Sequence, residues 1–284
     1  MKLTDIVIRD PFVLRVEEEH CYYLFGSTVT TPGTPLAEPG FHCYRSTDLE
    51  NWEGPIPAFQ PDRNFWATQD FWAPEVHRYQ GAYYMFASFK SPERRRGTQI
   101  LRAEHPAGPY RPISEYPVTP AAWECLDGTL FVDESGKPWI VFCHEWVQIK
   151  DGTICAMPLT TDLTAAAGEP VMLFHASDAP WVRELQGHSK CFVTDGPFLY
   201  PVRGELRMLW SSMGEKGYAM GFAVSESGRI TGPWRQAPMP IFREDGGHGM
   251  RFVTFEGAPM LTVHQPNTRF CEHPVFFPQP ESCC

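Results

Sequence analysis

Arg9-Asp10-Pro11-Phe12, Leu126-Asp127-Gly128-Thr129 and Thr194-Asp195-Gly196-Pro197 each set a carboxylate just ahead of an apolar strand. An aspartate there is costly to hold unless its charge is paired or used. Three of them in equivalent places predict one shared site built from copies of one structural unit. Carboxylates that converge in this way do acid–base work, one ionised to take a proton and another kept neutral to give one.

The elements that would position them recur along the chain. Short β-rich runs centred on Phe25, Phe86, Phe142, Leu209 and Leu261 follow one another at intervals of 52–67 residues. A second strand lies about ten residues before each, at 11–14, 74–77, 128–132, 197–200 and 249–253. Hairpin-like segments with Gly-Pro steps follow in most copies, as in 44–55, 102–110 and 223–234. Self-similarity at this period, with about four strands per copy, predicts an all-β, five-bladed β-propeller filling residues 1–284 as a single domain. In a propeller the innermost strands begin at one mouth of the central channel. Blade 2 then contributes Trp72-Ala73-Pro74-Glu75-Val76 there, and blade 5 contributes Gly246-Gly247-His248-Gly249-Met250. Three carboxylates, a histidine and aromatic walls suit the cleavage of a glycosidic bond.

Composition narrows the partners. The 284 residues are 43% hydrophobic, enough for a large core. A net charge of -10 argues against nucleic acid as partner, and the run Arg94-Arg95-Arg96 reads as a solvated loop. No apolar run is long enough to span a bilayer, so no membrane is expected. Nine scattered cysteines without a CxxC pair point to reduced thiols, and the first residues hold no secretory h-region; a cytoplasmic location is expected.

Ile8-Arg9-Asp10-Pro11, Trp72-Ala73-Pro74-Glu75-Val76, Ser46-Thr47-Asp48-Leu49 with Trp52, Leu126-Asp127-Gly128 and Asp195-Gly196-Pro197 together resemble family 43 of the glycoside hydrolases. The resemblance spans about residues 8–270. It implies a five-bladed propeller and an inverting enzyme acting on pentose-containing oligosaccharides, as α-L-arabinofuranosidases and β-xylosidases do. By position Asp10 resembles the general base that activates water, and Asp127 the carboxylate that orients the acid and raises its pKa. Asp195 stands where the family usually has the general acid as glutamate in a Glu-Gly-Pro motif. The aspartate is shorter by one carbon–carbon bond, about 1.5 Å, which leaves Glu184 as a rival acid. His248 resembles a blade-5 histidine that, in some members, helps hold a central calcium ion, mostly through water. No cofactor is otherwise expected.

Arg9, Trp72, Glu75, Trp146 and His248 are the expected substrate contacts. Trp66, Phe71, Trp123 and Trp181 are also placed near the mouth, where rings stack on the apolar faces of sugars. The expected activity is removal of terminal pentosyl residues, α-L-arabinofuranosyl or β-D-xylosyl, from small oligosaccharides. The alternative is a carbohydrate-binding propeller that has lost its acid.

Overall fold

The computed structural model describes residues 1–28 and 39–280. Aromatic and β-branched runs form its strands, and tight turns set their register. Two turns have both central residues in the left-handed region: Gln80-Gly81 (φ 47° and 85°) and Arg203-Gly204 (φ 49° and 80°). Those φ signs give the primed two-residue turn, whose twist matches that of the paired strands. Tyr79 accordingly faces Ala82, and Val202 faces Glu205.

Five antiparallel sheets result, each with its strands in sequence order. Blade 1 comprises β1 (Arg9–Val16), β2 (Cys21–Ser27), β3 (Phe41–Ser46) and β4 (Glu53–Phe59). Blade 2 comprises β5 (Gln69–Tyr79), β6 (Ala82–Ser91), β7 (Arg94–Ala103) and β8 (Arg111–Pro112). Blade 3 comprises β9 (Cys125–Val132), β10 (Pro138–His144), β11 (Thr153–Pro158) and β12 (Val171–His175), with a one-turn helix, α1 (Trp146–Ile149), after β10. Blade 4 comprises β13 (Asp195–Val202), β14 (Glu205–Gly214), β15 (Gly217–Ser225) and β16 (Trp234–Gln236). Blade 5 has three strands, β17 (Arg251–Val253), β18 (Pro259–Gln265) and β19 (His273–Pro278). The Gly-Pro steps at 54–55, 108–109 and 232–233 fall at the start of the outermost strand of blades 1, 2 and 4.

The first strands line the centre. β1 packs against β5 and β17, β5 against β9, and β9 against β13. Between blades the filling is aromatic. Phe41, Phe59, Phe71 and Phe89 interlock between blades 1 and 2, and Phe174, Trp181 and Trp210 between blades 3 and 4. Burying such rings is the main term holding sheet on sheet, at about 25 cal/mol per Å² of apolar surface. The ring closes where the N-terminal segment meets blade 5: the Ile8 N–H donates to the Glu272 carbonyl (3.1 Å), and His273 Nδ1 lies 2.9 Å from the Ile6 carbonyl.

The basic run is not a loop. Arg94 and Arg95 are exposed at the start of β7, but Arg96 is buried. It donates to Asp70 (2.7 Å) and to Glu145, and its guanidinium lies 4.2 Å from the centre of the Trp72 ring. Two carboxylates and an aromatic face replace the water that this charge has lost.

Candidate active site

Each blade holds a residue of positive φ near the start of its inner strand: Asp10 (54°), Ala73 (46°), Asp127 (56°), Gly196 (53°) and His248 (47°). The residue before each faces a fixed position on the second strand of its own blade. The pairs are Arg9 with Ser27, Trp72 with Ser88, Leu126 with Cys143, Asp195 with Ser211, and Gly247 with His264. The three aspartates are therefore not equivalent, contrary to the sequence expectation. Asp10 and Asp127 share the left-handed position, whereas Asp195 stands one residue earlier, at the place of Arg9 and Trp72. Gly196 occupies the left-handed position of blade 4 because a Cβ there would lie 2.6 Å from the His248 ring. Four non-glycine residues in this conformation, at a cost of order 1–3 kcal/mol each, mark the mouth as strained backbone.

Around this ring of strand starts the charges meet. His248 Nδ1 is 3.1 Å from Asp10 Oδ1 and 3.6 Å from Asp127 Oδ2. Asp10 accepts the Ser27 hydroxyl (2.5 Å), and its own N–H donates to His264 Nδ1 (3.2 Å). Asp127 accepts the Gly196 N–H (3.0 Å), and Asp195 accepts the Tyr218 hydroxyl (2.8 Å). Asp10 and Asp127 are buried, while Asp195 keeps partial exposure to the cavity.

Environment separates these carboxyls. Burial raises the pKa of Asp10, but His248, Arg9 and the Ser27 hydroxyl outweigh it and leave it below the usual carboxylate value. Burial pushes Asp127 up to about 8, with Asp195 and Asp10 adding to the rise and His248 opposing it. Burial also raises Asp195, helped by Asp10 and opposed by His248 and Tyr218. Asp127 and Asp195 thus hold a proton between them where Asp10 is ionised. His248 is lowered by burial but raised more by Asp10, Asp127 and Asp195, so it favours the imidazolium. His264, brought down to about 3 by burial and by Arg9, stays neutral. It can therefore accept the Asp10 N–H on Nδ1 and turn Nε2 toward Asn267 (3.3 Å).

These groups open into a cavity of about 400 Å³. Arg9, Trp72, Trp146, Tyr218 and Glu145 form its walls along with Asp10, Asp127, Asp195 and His248. Arg9 is anchored by Glu272 (3.1 Å). The chain matches the description Glycosyl hydrolases family 43 over residues 4–277.

The protein belongs to glycosyl hydrolases family 43.

It is a glycoside hydrolase. It is similar to a solved structure described as an endo-arabinase from Bacteroides thetaiotaomicron VPI-5482, at 40% identity and a TM-score of 0.91. That match covers 99% of this chain and 96% of the other. A structure described as a thermostable family-43 glycoside hydrolase shares the fold at 23% identity and a TM-score of 0.81, over 98% of this chain and 91% of that one. Among curated proteins it resembles the extracellular endo-α-(1→5)-L-arabinanase 1 of Bacillus subtilis (strain 168). The match is 23% identical over 154 residues, 51% of this chain and 45% of the relative, so the chain spans under half of that protein's length.

Family 43 motifs led to most of the pocket but not all of it. Of the expected contacts, Arg9, Trp72, Trp146 and His248 line the cavity. Glu75 does not: it is buried beside His77 (3.3 Å), off the cavity wall. Glu184 is exposed, accepts the Lys190 N–H (3.2 Å) and is absent from the wall. Phe71 and Trp181 are core residues, Trp66 donates to Gln99, and Trp123 stacks on His144 outside the cavity. Sequence reasoning missed Glu145, Tyr218 and Glu272. Glu145 follows directly on the third-copy strand that ends at His144, and that adjacency was the one available signal. Burial pushes its carboxyl up to about 7, with Arg96 opposing and Asp195 adding to the rise.

The calcium ion that the resemblance allows near His248 would be held mostly through water. Calcium takes six to eight oxygen ligands. His248 turns Nδ1 to Asp10, and its Cδ2–Nε2 edge packs against Gly196. Among the described residues no three His, Cys, Asp or Glu side chains are grouped to hold a metal ion.

Proposed function

We propose that this family 43 enzyme hydrolyses α-L-arabinofuranosyl linkages with inversion, removing terminal residues from short oligosaccharides. The observation that carries the reading is one cavity walled by three aspartate carboxyls with different partners: Asp10 against Arg9, His248 and the Ser27 hydroxyl, which favour its charge, and Asp127 and Asp195 as neighbouring, largely buried like charges, which favours a proton on that pair. Asp10 takes a proton from the attacking water. Asp195, which reaches the cavity, gives its proton to the departing glycosidic oxygen, and Asp127 keeps that proton on the pair. Inversion follows from the two acting on opposite faces of the sugar ring. Arg9, Trp72 and Trp146 hold the sugar, with the rings stacking on its C–H faces. The arabinose preference is supported by the 40% identical endo-arabinase structure and by the arabinanase relative. A cavity of about 400 Å³ supports a substrate of few sugar rings.

The test is incubation with linear α-1,5-linked arabino-oligosaccharides, following products by chromatography and the released anomer by NMR. Arabinose as the first product, in the β-configuration, is expected. Retained configuration would overturn the roles given to Asp10 and Asp195. A second reading, internal cleavage, is favoured by the descriptions of both arabinan-cleaving relatives. Early formation of di- and trisaccharides would select it. Binding without turnover would replace both with the non-hydrolytic alternative.

A further inference from the structure

At four of the five junctions between neighbouring blades the strand starts are joined by a repeated hydrogen bond. The Ala73 N–H donates to Ser27 Oγ of blade 1 (2.6 Å), and the Asp127 N–H to Ser88 Oγ of blade 2 (2.9 Å). The His248 N–H donates to Ser211 Oγ of blade 4 (2.7 Å), and the Asp10 N–H to His264 Nδ1 of blade 5 (3.2 Å). Donor and acceptor hold the same register at all four junctions. At the fifth, between blades 3 and 4, the acceptor position is Cys143, and the Gly196 N–H turns to Asp127 Oδ2 instead (3.0 Å). A thiol is a weak acceptor, so the backbone donor goes to the nearby carboxyl.

The same register position sets what the two aspartates receive. Ser27 does two things at once: it accepts the Ala73 N–H and donates its hydroxyl to Asp10 Oδ2. Cys143 gives Asp127 no such bond. Its thiol is fully buried and lies against Thr194.

We propose that Cys143 is a positioning residue, which withholds from Asp127 the hydroxyl bond that Ser27 gives Asp10 and thereby keeps Asp127 on the proton-holding side of the site. This rests on the roles proposed above for the two sides. A hydroxyl donated to a carboxylate favours the ionised form, and a short O–H···O⁻ bond does so more than a 3.0 Å backbone N–H. A serine at 143 has blade 1 as its template: Oγ takes the Gly196 N–H and the hydroxyl turns to Asp127. The other groups facing Asp127 are His248 from the segment before β17, Asp195 and Gly196 from β13, and Asp10 from β1. Those facing Asp10 are His248, His264, Arg9 and Ser27. Only the Gly196 N–H changes partner in the exchange, passing from Asp127 to the serine Oγ, so Asp127 trades a 3.0 Å backbone bond for a hydroxyl bond.

The experiment is a set of pH–rate profiles for the full chain and for C143S, C143A and S27C, with a ¹³C NMR titration of the Asp127 carboxyl assigned against D127N. C143S is expected to bring the alkaline limb and the Asp127 titration down by about one pH unit, a tenfold change in the proton equilibrium. C143A adds no donor and leaves the limb in place. S27C removes the donor from Asp10 and is expected to raise the acid limb. Equal shifts in C143S and C143A, or a C143S titration that stays at the wild-type value, would overturn the proposal. Should C143S fail to fold, S27C decides alone, and an unmoved acid limb would overturn it. The NMR titration needs no turnover, so an enzyme without arabinofuranosidase activity would sink the proposed function and leave this inference to be judged separately.

Discussion

Blades 1 and 3 place an aspartate at the same left-handed position, with φ of 54° and 56°, at the same end of equivalent strands. The backbones agree and the surroundings do not. Asp10 faces Arg9, His248, the Ser27 hydroxyl and the ring-closing blade, all of which favour its charge. Asp127 has burial and two other carboxylates against it, with His248 and one backbone N–H in support. A repeated fold thus supplies one carboxylate position several times over. Neighbouring side chains, differing from blade to blade, then make one copy a base and another a proton store.

The comparison breaks most severely if Asp10 is neutralised. Asp10→Asn is expected to lower kcat/KM on arabino-oligosaccharides by up to about 10,000-fold, the upper end of the roughly 100- to 10,000-fold span of general base catalysis, with little change in the circular dichroism spectrum. On the other side, Asp195→Asn is expected to cost roughly 100-fold on oligosaccharides but under about 10-fold on 4-nitrophenyl α-L-arabinofuranoside. A nitrophenolate leaves without being protonated, so equal losses on both substrates would remove Asp195 from the acid's role.

A pH–rate profile then reads both sides together. Activity is expected to fall as pH drops through the depressed pKa of Asp10, because the base is protonated there. It is expected to fall again as pH rises past about 8, where the Asp127–Asp195 pair loses its proton. A profile flat from pH 5 to 9 would contradict the split. The smallest effect is expected from Tyr218→Phe, which removes a 2.8 Å bond that favours ionised Asp195. The alkaline limb should move up by at most about one unit, with a few-fold loss of turnover.

How much of this was readable in the chain depends on whether the information was local. Blade number and strand order followed from the recurring aromatic runs, because each blade is a contiguous stretch with its own period. Asp10, Asp127, Asp195 and His248 are legible because each lies at or near the start of its blade's inner strand. Tyr218, Glu145 and Glu272 were not, since each enters the cavity from a different stage of its blade: β15, the turn after β10, and the approach to β19. Arg96 was misread because two exposed neighbours disguised it, and its partners Asp70 and Glu145 lie 26 and 49 residues away. The one-residue offset of Asp195 depended on a contact between Gly196 and His248, on blades 4 and 5, which no repeat within the sequence expresses.

The ring's closure carries one more consequence. Asp10 is held by His264 and His248 of blade 5, and its neighbour Arg9 by Glu272, so the base sits on the one junction that joins the two ends of the barrel-stave circuit. Proteins open piecemeal, one cooperative unit at a time. If that junction parts while the other four hold, the enzyme would be switched off with most of its strands intact. Its working lifetime under heat or urea would then be set by the hold of this joint, and overall unfolding would follow later.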